Sequence, residues 1–248
     1  ISSFDPAQIA EVVTDDIIRN TCDALVDFAP EDTTQFIPAL AESWEASEDG
    51  LTITFTLRDG IVFPDGTPGS AHDLVWSIHR VLKLGYGNAA ALTEFGYTAE
   101  NAEEMIFAPD DRTVVMKLDR PYPVSLVIAS IASNRVAVML NRAVLEANAQ
   151  GDDLGNAWLA TRTECVGPYR LARWNAGEVV VLEANEHYAG DAPNLPRILI
   201  RHVAETGTQR LLLAQGDVDV ARNLTPEDIA ELSARDDLEL SQVLAPSM

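Results

Sequence analysis

Between Leu51 and Leu57 the chain alternates without exception: Leu51, Ile53, Phe55 and Leu57 are separated by Thr52, Thr54 and Thr56. A period of two, carried by β-branched and aromatic residues, predicts a half-buried strand. Arg58-Asp59-Gly60 predicts a turn, Ile61 and Phe63 return to the apolar face, and Pro64-Asp65-Gly66-Thr67-Pro68 forms a second turn. Ser70 stands three residues before Asp73, the spacing of a capping box. Leu74, Val75 and Ile78 then begin the apolar face of a helix that runs towards Leu84, where Gly85-Tyr86-Gly87-Asn88 interrupts it.

The same patterns organise the rest. A helix is expected over 14–28, capped by Thr14 or Asp15, with Ile17, Ile18, Thr21, Cys22, Leu25 and Val26 as its apolar stripe. Residues 99–105 read as helical, Pro109-Asp110-Asp111-Arg112 as a turn, and Thr113 to Leu118 as a strand. An apolar helix is expected near 123–132, and Val144 to Ala149 end another. Beyond Gly167 the expected strands are Val179–Leu182, Arg197–Val203, Asp217–Ala221 and Leu238–Val243. Thr208–Gln215 forms a helix closed by Gly216, and Thr225-Pro226-Glu227-Asp228 opens another with a cap, an N1 proline and acids at the positive end of the dipole. Strands alternating with helices predict an α/β architecture.

Charge narrows the partners. With 17 basic and 39 acidic residues the chain carries a formal charge of −22, which opposes binding to nucleic acid or anionic membrane surfaces. No apolar run reaches the length of a membrane span. The chain opens at Ile1-Ser2-Ser3-Phe4 without a basic leader, as expected of a processed secreted protein or of a trimmed start. Cys22 and Cys165 lack metal-site spacing. They are either two buried thiols or one disulfide closing a long loop in an oxidising compartment. His72, His79, His187 and His202 show no ligand grouping, and neither a metal nor another cofactor is expected. Asp217 and Asp219 share a face of their expected strand, where a structural role is the simpler expectation.

The order Thr54-Phe55, Leu57-Arg58, Gly60, Phe63, Asp65-Gly66-Thr67-Pro68, Ala71, Asp73, Val75, Ser77, Arg80 resembles the signature of family 5 solute-binding proteins, which serve peptide, nickel and related ABC importers. Further matches follow in register. They are Ser3-Phe4-Asp5-Pro6, Ala24-Leu25-Val26, Leu40-Ala41-Glu42-Ser43-Trp44, Val166-Gly167-Pro168-Tyr169-Arg170-Leu171 with Trp174 and Gly177, Asn185-Glu186-His187-Tyr188 with Pro193, and Gly216-Asp217-Val218-Asp219-Val220-Ala221. Ala189 stands where the family pattern has Trp. Trp44, Trp174 and Tyr169 are motif positions expected to hold the fold.

The resemblance implies a periplasmic binding protein type II-like lobe (cluster C): an α/β, discontinuous lobe built from 1–43 and 165–248, with residues 44–164 as an inserted α/β subdomain. The second lobe of the clamp, and with it the acid that holds the peptide amino group in peptide-binding relatives, is expected to be absent. It further implies a non-enzymatic, monomeric substrate-binding component of an ABC importer, periplasmic or lipid-anchored, with its signal peptide removed. Its expected partners are a peptide or similar small solute and an inner-membrane permease. Ligand contacts are implied at Arg19, Ala10 and Val12, in the loop at Asn223 and Leu224, and along Ala245, Pro246 and Ser247. Arg135 falls near a ligand-facing Arg of nickel-binding relatives, but a structural role is expected for it. The alternatives are an acid hydrolase with a carboxylate-rich cleft, for which no nucleophile motif or carboxylate constellation is present, and a sensor or chaperone on the same scaffold.

Overall fold

The structure, a computed structural model, describes residues 1–30 and 32–241. After a 3-10 turn at Pro6–Gln8 come helix α1 (Val12–Thr21), the antiparallel hairpin β1 (Val26–Ala29) and β2 (Asp32–Pro38), then β3 (Ala41–Ala46), β4 (Thr52–Leu57) and α2 (Ala71–Leu84). There follow α3 (Ala90–Thr93), α4 (Ala102–Met105), β5 (Ile106–Phe107), β6 (Thr113–Lys117), α5 (Val124–Ser133), α6 (Arg142–Asn148) and α7 (Asn156–Leu159). The remaining elements are β7 (Tyr169–Asn175), β8 (Val179–Ala184), β9 (Arg197–Arg201), α8 (Thr206–Gln215) and α9 (Pro226–Leu232). Two sheets besides the hairpin run in the orders β3-β4-β6-β5 and β7-β8-β9. The chain divides into two compact units, 1–174 with 181–198, and 175–180 with the chain from Leu199 onward.

In the first unit the Thr-alternating segment becomes β4, an inner strand between β3 and β6. Ile53, Phe55 and Leu57 point into the core, and register sets Phe55 opposite Trp44 on one side and Val114 on the other. The following helix starts where Asp73 reaches back to accept from the Ser70 backbone N–H at 3.0 Å, and ends at left-handed Gly85. Its buried face, Ala71, Leu74, Val75, Ile78, Val81 and Leu82, lies in one core with residues of β4 and β6 and with Ala7, Leu25 and Leu40.

One charged residue lies on that buried face. Arg80 donates Nη1 to Asp5 Oδ1 at 2.8 Å and Nη2 to Oδ2 at 2.5 Å, and its Nε to the Leu154 carbonyl at 2.7 Å. Asn156 and the Ala7 amide complete the Asp5 carboxylate. The family-like Asp5 and Arg80 thus form one satisfied ionic knot tying the N-terminal segment to α2.

Several expectations are corrected. The first helix spans Val12–Thr21 rather than 14–28: the backbone turns extended at Cys22, and Val26 pairs with Pro38 in a hairpin. β2 gave no periodic signal because five of its seven positions, Thr33, Thr34, Gln35, Ile37 and Pro38, are exposed. Asp217–Ala221 is not a strand, and neither are residues 238–241. A strand needs a hydrogen-bonding neighbour, and no described segment pairs with either; Val220, half of the apparent alternation, is 73% exposed. Residues 242 and 243 of the last expected strand lie outside the described residues.

Tyr97 shows where packing has overridden polarity. Its side chain is fully buried, and its hydroxyl has no hydrogen-bond partner among the described residues. Burial, with Asp119 nearby, pushes the phenol far above its ordinary range. Tyr97→Phe is therefore expected to leave stability unchanged or raise it by up to about 1 kcal/mol, since a buried unsatisfied group carries its desolvation cost. Urea denaturation of the two proteins checks this, and a loss of more than about 1 kcal/mol would reveal a partner for the hydroxyl.

Candidate ligand-binding site

Helix α1, the segment just after α5 and strand β1 bring four charged side chains together in the first unit. Arg19 pairs along its own helix with Asp15, Nε to Oδ2 at 2.7 Å, and its Nη2 donates to the Ser133 carbonyl at 3.4 Å. Two residues further, Arg135 adopts a left-handed backbone with φ of 51°. That conformation costs a side-chain-bearing residue on the order of 1 kcal/mol or more and is found where the surroundings impose it. Here the cause is visible. The Leu25 N–H donates to the Ala137 carbonyl at 2.8 Å and Ala24 bridges Val138, so the chain after Arg135 must run beside the segment entering β1. This alignment sets Arg135 against Asp27.

The pair is lopsided. Arg135 Nη2 donates to Asp27 Oδ2 at 2.9 Å and to Oδ1 at 3.3 Å. Its Nε and Nη1 have no partner among the described residues, although the residue is only 2% exposed. Burial pulls this guanidinium below its ordinary pKa, Asp27 opposes that, and the Arg19 charge adds to it. An arginine keeps its proton at any ordinary pH, so the chain holds a buried cation with unused donors.

Behind the site a second knot fixes the end of α1. Asp23 Oδ2 accepts from Arg58 Nη2 and from the Tyr188 hydroxyl, both at 2.8 Å, and Arg58 lies over the Tyr188 ring at 5.3 Å. Burial raises the Asp23 carboxyl above the usual carboxylate range against these donors, and burial together with Asp23 pushes the Tyr188 phenol up to about 12. Next door Cys22 and Cys165 are bonded as a disulfide, with Cα atoms 4.9 Å apart and a sequence separation of 143. Gly167 is needed here: a Cβ would run into the Thr21 carbonyl and stand 2.8 Å from the Cys22 nitrogen.

Beside the disulfide, Glu164 is partly buried and accepts from Trp158 Nε1 at 3.3 Å. Burial raises its carboxyl above the usual range, and Asp65 adds to this. A raised folded pKa favours the folded state below the unfolded pKa, and the advantage fades as pH rises through the folded value. Relative to wild type, Glu164→Gln should therefore gain stability as pH rises from below 4.5, the ordinary value, to neutrality. Thermal melts of both proteins across that range check the sign; a variant that loses ground with rising pH contradicts it.

Of the residues expected to touch ligand, Ala10 is exposed and Val12 is 60% exposed at the start of α1, two turns before half-exposed Arg19. Asn223, exposed with φ of 58°, and half-buried Leu224 lie in the second unit. Ala245, Pro246 and Ser247 lie outside the described residues. Asp217 and Asp219 are exposed, and among the described residues no cluster of metal-ligating side chains forms. Two cavities of the first unit, of about 480 Å³ beside Trp76 and about 330 Å³ beside Trp174, include neither Arg19 nor Arg135. Arg135 stands out more in the structure than in the sequence, where its signals are a lone cation inside the apolar stretch Val124–Val138 and a loose match to an Arg of nickel-binding relatives.

The fold is that of a partial binding-protein lobe. Residues 35–247 match the family model described as bacterial extracellular solute-binding proteins, family 5 Middle, and the chain belongs to that family. It is 35% identical over 203 residues to the "Probable D,D-dipeptide-binding periplasmic protein DdpA" of Escherichia coli K12, covering 82% of this chain and 37% of that protein. Over 242 residues it is 28% identical to "Di/tripeptide-binding protein 2" of Pseudomonas aeruginosa, covering 92% of this chain and 44% of that one. Among solved structures it resembles Haemophilus influenzae OppA in complex with RPPGFSPFR, with a TM-score of 0.78 and 26% identity over 94% of this chain and 46% of that one. NikZ of Campylobacter jejuni, in complex with Ni(L-His), gives 0.74 and 26%, over 96% and 44%. The chain spans less than half the length of these proteins.

Proposed function

We propose that the whole protein is the solute-capturing component of an ABC importer, working in the periplasm and handing its ligand to a membrane permease without chemical conversion. Family membership supports the class. What supports a specific site is the buried Arg135 guanidinium, two of whose nitrogens have no partner among the described residues, beside half-exposed Arg19. Arg19 receives a carboxylate of the solute, and the Arg135 charge beneath strengthens the field at that point. A small peptide or similar acid is the solute class that this positive point and the peptide-binding relatives favour together. The proposed architecture keeps 1–43 and 165–248 as parts of one lobe and 44–164 as its insertion, and a second lobe closes over the solute.

Arg19→Met tests the site. Arg19 is half-exposed and its ion pair lies within a helix, so the fold should tolerate the change. Calorimetry on the full-length protein with dipeptides should show affinity falling about 10- to 100-fold, the equivalent of one charge-assisted hydrogen-bond site. Unchanged affinity would remove Arg19 from the site.

A further inference from the structure

The cavity beside Trp174 carries an excess of positive charge in a strongly acidic chain. Two guanidiniums, Arg162 and Arg173, line it together with one carboxylate, Glu164, around a volume of about 330 Å³. Over the whole chain 17 basic residues stand against 39 acidic ones. No described carboxylate forms a salt bridge with either arginine, and both are exposed.

Arg162 is nevertheless held in place. Its guanidinium carbon lies 4.0 Å from the centroid of the Trp158 ring, and its Nη1 donates to Thr161 Oγ1 at 3.0 Å. The same indole donates its N–H to Glu164 Oε1 at 3.3 Å. Trp158 thus orders the cation with its face and the acid with its edge. Glu164 Oε2 accepts from no described residue. On the strand side Thr163 Oγ1 accepts from the Leu171 N–H at 3.2 Å, which leaves its own hydroxyl proton to donate. Arg173 follows Leu171 by two positions on β7 and so stands on the same face.

We infer that this cavity, which shares no residue with the site of Arg19 and Arg135, is a second binding site and that its ligand is hydrogenphosphate. Two guanidiniums and a threonine hydroxyl are donors suited to a tetrahedral oxyanion. Glu164 decides which oxyanion. Inorganic phosphate at neutral pH keeps at least one P–OH, which donates to Glu164 Oε2. Sulfate carries no proton, so one of its oxygens meets the carboxylate bare and is repelled. A carboxylate inside an anion site therefore separates two anions of nearly the same shape. The attraction has to be local, because the chain as a whole, at −22, repels both.

Calorimetry on the full-length protein at neutral pH, in a buffer free of oxyanions, tests this with sodium phosphate and sodium sulfate as probes. Wild type should bind phosphate about tenfold more tightly than sulfate, or better. Arg173→Met changes an exposed side chain without a described partner, so it should melt like wild type and lose about tenfold in phosphate affinity. Glu164→Gln, whose amide can donate, should gain affinity for sulfate and bring the two anions within about threefold of each other. A wild-type protein that binds neither anion, or both alike, overturns the assignment, as does unchanged phosphate affinity in Arg173→Met. A preference for phosphate that survives in Glu164→Gln removes the carboxylate from the discrimination and overturns hydrogenphosphate as the ligand.

Discussion

Replacing Arg80 by methionine is expected to lower the unfolding free energy by about 3–5 kcal/mol, because it strands the Asp5 carboxylate without its charge partner in a site closed to water. Both side chains are almost completely buried, at 1% and 0% exposure, so solvent screening does not soften the loss. Asn156 and the Ala7 amide still donate to Asp5 in the variant, which keeps the cost from rising further. The second expected result separates charge from packing. Pairing Arg80→Met with Asp5→Leu should cost clearly less than the sum of the single changes, since no buried ion is then left alone. Urea denaturation of the four proteins completes the cycle. A single-variant loss under about 1 kcal/mol would show that the knot does not hold the N-terminal segment to α2.

Opening the Cys22–Cys165 disulfide is the other large effect. The bond joins segments 143 positions apart, and closing so long a loop restricts the unfolded chain strongly. Cys22→Ser with Cys165→Ser should cost about 2–5 kcal/mol. Native packing adds to this expectation, because the bond sits where Gly167 lies flush against the last turn of α1. Adding reductant to the wild type should lower its unfolding midpoint towards that of the double variant, and should leave the variant unmoved. Equal midpoints for wild type and variant under oxidising conditions would mean that the two sulfurs are not bonded in the folded protein.

Much of the scaffold was legible because its signals are local. Alternation over 51–57 specified β4, Ser70 and Asp73 specified the start of α2, and Gly85 and Gly216 marked helix ends through the left-handed backbone they adopt. The errors arose where the decisive partner is distant. Val26 continues the apolar stripe of α1, yet it belongs to a hairpin, since the disulfide partner at Cys165 and the paired strand at Pro38 are invisible from neighbouring residues. Val218 and Val220 alternate like a strand but find no neighbour among the described residues.

The site was legible only in part. Resemblance pointed to Arg19, and the structure adds its partners Asp15 and Ser133. Arg135 and Asp27 are 108 positions apart, and their meeting depends on how the chain after α5 runs beside β1. No periodicity encodes such a meeting. The left-handed backbone of Arg135 carries no sequence signal either, since arginine has no preference for it.

Native mass spectrometry of the full-length protein, purified from its own host without unfolding, tests the central claim most directly. A solute-binding protein with the charged site described above should carry a co-purified small carboxylate-bearing molecule, released unchanged on denaturation and depleted in Arg19→Met. Release of a chemically converted product, or the same bound molecule at the same occupancy in Arg19→Met, would contradict the account.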